Sequence, residues 1–132
     1  MSALAIRRGV EAALAEAGVQ VGTYRFPDGQ EAPAIRVGDP PEGTTVTGLE
    51  VLISPNPKRQ NIEAFIPLGI QSYSVRLLNR AALPDVLEEA TNAIAQRFWP
   101  FDDEPRRLDA SSAMPEQVGF SLLYDPTDHP TP

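Results

Sequence analysis

Gly48-Leu49-Glu50-Val51-Leu52-Ile53-Ser54 and Ser72-Tyr73-Ser74-Val75-Arg76-Leu77 decide how the rest of the chain is read. In the first, Leu49, Val51 and Ile53 alternate with Glu50, Leu52 and Ser54; in the second, Tyr73, Val75 and Leu77 alternate with Ser72, Ser74 and Arg76. Side chains of a strand point to opposite faces in turn, so period two predicts two strands, each with one buried face. Toward the C-terminus, Val118, Phe120, Leu122 and Tyr124 alternate likewise and predict a last strand, with Arg107 to Ala113 a weaker candidate before it. Toward the N-terminus, Thr23 to Phe26, a Pro27-Asp28-Gly29 turn and Ala32 to Val37 read as extended segments. Pro33 cannot donate to a ladder, so its strand belongs at an edge or begins there. Gly38 to Gly43 is a loop by composition.

Helical spacing brackets these strands. Ile6, Val10, Ala13, Leu14 and Ala17 fall on one face behind Ser2 as N-cap, and Gly18 supplies the left-handed position that ends a helix over Ala3 to Ala17. Gly9 is the weak point of that helix, costing about 1 kcal/mol relative to Ala. Pro84 and Asp85 start a second helix, along which Leu87, Ala90, Thr91, Ile94 and Phe98 share a face until Pro100 stops it after Trp99. Burying Leu87, Ile94 and Phe98 should contribute roughly 1.5 to 3 kcal/mol each. The order helix, three or four strands, helix, two strands predicts an α+β domain over residues 1–124. Its core is a single mostly antiparallel sheet of four to six strands, packed on one face by two helices. Residues 125–132 hold three prolines and no apolar anchor and read as a frayed tail.

The chain has 132 residues, 42% of them hydrophobic and 22% charged, which suits one globular core. Its 14 prolines cluster between the apolar runs. A formal charge of −7 opposes a sequence-independent grip on phosphate backbones, so free nucleic acid is not an expected partner. No run approaches the roughly 18 apolar residues needed to span a bilayer. No membrane partner is therefore expected, and a cytosolic or assembled-particle location is. The absence of cysteine removes disulfides, thiolate nucleophiles and cysteine-based metal sites.

Few residues suggest chemistry. His129, the single histidine, lies in the tail between Asp128 and Pro130, where nothing would hold a general base in register. Asp125, Asp128 and His129 lack the fixed geometry and supporting partners of a metal site. Asp102-Asp103-Glu104 reads as a solvated loop, because neighbouring loop carboxylates rarely converge on one ion. No phosphate-cradling glycine loop and no Gly-x-Ser-x-Gly elbow is present. No cofactor, no metal and no catalytic residue is expected.

What stands out is the long connection Ser54 to Gly69. Lys58 and Arg59 lie at its apex, and Ile62, Phe65 and Ile66 follow on its return. It reads either as a solvated loop whose apolar return packs on its own domain, or as an arm that docks on a neighbouring subunit. Trp99 and Phe101, flanking Pro100, either close the core or anchor an interface. These seven residues are the candidate interface.

Taken together, the elements resemble the tail terminator family of long-tailed bacteriophages, also described as minor tail or tail-completion proteins. The resemblance rests on the helix Ala3 to Ala17, the Ala32-Pro33-Ala34-Ile35-Arg36-Val37 strand, and Gly48 to Ile53 followed by proline. It continues through the long excursion returning at Tyr73-Ser74-Val75-Arg76-Leu77, the helix Leu83 to Trp99 with its Arg97-Phe98 ending, and Val118-Gly119-Phe120-Ser121-Leu122. It implies a non-enzymatic virion subunit at the tail and neck junction, assembled in the host cytoplasm. Such subunits form a six-membered ring that caps the tail tube, with the tube protein and the neck or connector protein as partners. The resemblance identifies no individual tube-facing or neck-facing residue. Three other readings stay open: a different neck or head-completion protein, an adaptor binding one partner, and a small ligand-binding domain or enzyme lined by Asp102, Asp103 and Glu104.

Overall fold

A computed structural model describes residues 2–55, 71–81, 84–98, 103–111 and 115–124. The chain runs α1 (Ser2–Glu16), β1 (Thr23–Arg25), β2 (Glu31–Pro33), β3 (Ile35–Val37), β4 (Thr45–Thr47), β5 (Leu49–Pro55), β6 (Gln71–Asn79), α2 (Val86–Phe98), β7 (Asp103–Leu108) and β8 (Glu116–Tyr124). The α+β class is the one expected.

Five strands form the principal sheet in the order β3-β5-β6-β8-β7. All its neighbours are antiparallel except β3 and β5, which run parallel. Both helices lie on one face of it: α1 packs on the β3 and β5 side, α2 on the β6 and β8 side, and the helices touch each other. One cluster unites Ile6, Val10 and Leu14 of α1, Leu87, Ile94 and Phe98 of α2, and the inward rows Val51, Val75 and Val118 with their neighbours. Gly18 stops α1 at φ +74. Its N–H donates to the Ala15 carbonyl at 3.1 Å while that of Val19 donates to Leu14 at 2.9 Å, the paired bonds of a Schellman ending.

Three differences from the sequence reading matter. First, Ala32 to Val37 is not one strand. It divides at Ala34, and its first half joins β1 and β4 in a separate three-stranded sheet, order β2-β1-β4. Pro33 sits in the edge strand of that sheet, where its missing N–H is harmless. Second, α2 begins at Val86, so Pro84 lies outside the helix. Asp85, in the left-handed region at φ 58, offers its carbonyl to the Glu89 N–H at 3.0 Å and occupies the cap. Third, Asp103 and Glu104 are not loop residues but open β7, while Asp109 to Ser111 carries no strand. Pairing with β8 draws the acidic stretch into the sheet edge, where charged residues are tolerated and discourage further strand addition.

Candidate functional site

Chain crossings between the two sheets build a tightly constrained region. The Gly22 N–H donates to the Leu49 carbonyl at 2.8 Å, that of Ala34 to Gly22 at 2.9 Å, that of Val51 to Ala34 at 2.8 Å, and that of Arg80 to Gly48 at 2.9 Å. The backbones approach too closely for side chains: a Cβ on Gly48 would lie 2.8 Å from Gly22 Cα, and one on Gly22 would land on the Thr47 carbonyl. Gly48 also sits at φ +83, which glycine adopts without strain.

This crossing sets Tyr24 of the small sheet against Glu50 of the large one. Glu50, expected on the solvent side of its strand, is only 2% exposed. Its two carboxylate oxygens are both engaged: the Tyr24 hydroxyl donates to Oε2 at 2.6 Å and Arg80 Nε donates to Oε1 at 2.7 Å. A buried carboxylate is tolerable only with such partners, and charge-assisted bonds of this length are the strong ones. Burial, and then the bond to Glu50, push the Tyr24 phenol far above its usual range; Arg36 and Arg80 pull weakly the other way. At neutral pH the phenol is therefore a fixed donor, and the trio clamps one sheet to the other.

The clamp sits on the sheet face that the helices leave free, where the row Glu50, Leu78 and Gln117 is buried and the next row is not. Register places Arg36, Leu52, Arg76, Gly119 and Arg106 in one row across all five strands. Arg106 joins it through a bulge: Asp103 pairs with Ser121 but Arg106 with Gly119, so one extra residue is accommodated around Pro105. The insertion shifts the alternation and turns Arg106 onto the open face. Successive arginines stand two strands, about 10 Å, apart. Arg76 and Arg106 are exposed and Arg36 partly so. Arg36 Nε donates to the Asp39 carbonyl and Arg76 Nη2 to Gln117 Oε1 at 3.0 Å. Among the described residues, no carboxylate forms an ion pair with any of the three. Leu108, opposite Gln117 in the adjoining row, is 60% exposed, the one large hydrophobic residue so exposed among the described residues.

On the helical side, a shallow groove of about 320 Å³ separates the C-terminal halves of α1 and α2, lined by Ala13, Ala17 and Ala93 with Glu16, Gln96 and Arg97. No helix among the described residues is long and apolar enough to cross a membrane.

Lys58, Arg59, Ile62, Phe65, Ile66, Trp99 and Phe101 all lie outside the described residues, as do Asp102, Asp125, Asp128 and His129. The structure brings together instead Tyr24, Glu50 and Arg80, and the arginine row, neither of which the sequence reading named. A glutamate inside a strongly apolar strand was the available signal for the first. Comparisons with protein-family models, with curated proteins and with solved structures each find no match.

Proposed function

We propose that this chain is a structural subunit that closes into a ring, in the manner of a phage tail terminator capping the tail tube and meeting the neck on its other side. The observation that supports it best is the two-sidedness of the sheet. Both helices cover one face, and the other face keeps three arginines and an exposed leucine. A closed ring needs two dissimilar surfaces on each copy, so that one docks on the other around the circle. The sheet edges favour contacts through faces over strand addition: β3 has only three residues, and β7 carries Pro105 and a bulge. The element order adds the resemblance to tail-completion proteins already described.

Sedimentation velocity and native mass spectrometry of the purified chain test this reading. The expected result is a concentration-dependent closed oligomer, with six copies the natural number for a tail tube. Negative-stain images should show rings, and these should bind the end of a preformed tube. A monomer at every accessible concentration rejects the proposal.

A further inference from the structure

We infer that the open face of the five-stranded sheet, centred on Arg36, Arg76 and Arg106 with Leu108 beside them, is the docking surface for a second copy of this chain, which presents the acidic end around its three-stranded sheet. The inference rests on the ring reading above and adds the surfaces through which copies meet.

Two independent features mark this face. Three arginines aligned across about 20 Å of sheet in a chain of net charge −7 are a local reversal of sign. None is neutralised within its own chain among the described residues, although nine acidic side chains stand exposed among those residues. Leu108, 60% exposed, lies on the same face beside the row and gives the contact an apolar anchor. Arginine is among the residues enriched at interface centres, and Leu108 adds apolar area beside the row.

The complementary surface is on the chain itself. Asp28 and Glu31 lie on the β1–β2 hairpin and Glu42 in the loop before β4, all exposed. Outside the row, Arg25 is the only cation between Thr23 and Thr47. The hairpin carrying Asp28 and Glu31 belongs to the three-stranded sheet and the arginine row to the five-stranded one, so the two charged patches are built from different elements. Cationic face onto acidic end is a head-to-tail contact, the kind that repeats around a ring. The same net charge disfavours the other polyanion such a row could meet, a nucleic acid backbone, because long-range repulsion opposes its approach.

Charge reversal tests the pairing on the full chain. The variant R36E/R76E/R106E is expected to self-associate at least about tenfold more weakly than the parent, with an unchanged circular dichroism spectrum and melt. The variant D28K/E31K/E42K should be impaired to a similar degree. Mixing the two should restore at least part of the association, because each then supplies the surface the other can use; unfolded variants could not do so. If the parent forms a ring and the arginine variant forms the same ring at the same concentration, the inference fails and the ring reading stands. If the parent is a monomer, the ring reading itself fails. If both variants fold but their mixture stays dissociated, the pairing of these two surfaces is wrong. Retention of a duplex DNA oligonucleotide at physiological salt by the parent, lost in the arginine variant, would assign the row to phosphates and overturn the proposal.

Discussion

At position 9, helix propensity and packing pull in opposite directions. Propensity alone makes alanine better than glycine in a helix by about 1 kcal/mol. In the fold, a Cβ there would lie 2.7 Å from Phe98 Cζ and 3.3 Å from Arg97 Nε. Phe98 is 2% exposed and held in the core, so its ring has nowhere to move. Overpacking costs about 1 to 3 kcal/mol, which outweighs the gain. Gly9→Ala is therefore expected to lower the urea-unfolding free energy by about 1 kcal/mol. A rise of that size would show that α1 and α2 pack more loosely than described. Gly22→Ala should be far worse, because its methyl group would occupy the place of the Thr47 carbonyl, a backbone atom tied into the crossing of the sheets. We expect no cooperative thermal transition for that variant, and a melt resembling the parent's would refute the close approach of the two backbones.

Element by element, the strands legible in the sequence are those whose inward face meets the helices, because there alternation is imposed by burial on one side and solvent on the other. β5, β6 and β8 met that condition, and so did the helical faces around Val10 and Ile94. β4 did not, since Thr45-Val46-Thr47 is too short to display a period. The division of Ala32 to Val37 between sheets depends on the Gly22 and Ala34 crossing, a tertiary event with no local trace. Glu50 reads as solvent-facing from its strand alone because its cover, Tyr24, lies 26 residues away. The arginine row required the register of five strands and one bulge. The clamp carries its own predictions. Tyr24→Phe leaves Glu50 Oε2 without its donor and should cost about 1 to 3 kcal/mol. Arg80→Ala leaves a buried carboxylate without counter-charge; with the Arg80 side chain 34% exposed, water can partly replace it, so we expect about 3 kcal/mol, the low end for such losses. The raised Tyr24 phenol also gives a pH dependence. Unfolding frees it to ionise near its ordinary value of about 10, whereas the fold holds it protonated. Stability from this group is thus complete below that pH and is lost as the pH rises beyond it. The parent should lose up to about 1.4 kcal/mol per pH unit relative to Tyr24→Phe above pH about 10, measured by denaturant titration. Parallel curves for the two proteins would remove the phenol from the account.

For the whole molecule, net charge and local charge make opposite demands on assembly, and ionic strength separates them. Subunits of charge −7 repel one another over the full Debye length, about 30 Å at 0.01 M salt but about 10 Å at 0.1 M. Raising salt through that range removes a long-range penalty and should strengthen association. Contacts between the arginine row and carboxylates of a neighbouring copy act over a few ångströms and outlast that first screening. They weaken only when the Debye length falls to about 3 Å, near 1 M. Association through this face should therefore pass through a maximum at intermediate salt. An interface held by apolar contact alone would strengthen throughout, because screening removes the repulsion and nothing opposes it. Sedimentation equilibrium across the salt series distinguishes the two curves. The variant R36E/R76E/R106E sharpens the contrast: its larger negative charge should raise the repulsion at low salt, and the decline at high salt should vanish with the arginines that cause it. A parent protein whose association rises without a turning point would place the contact elsewhere on the molecule.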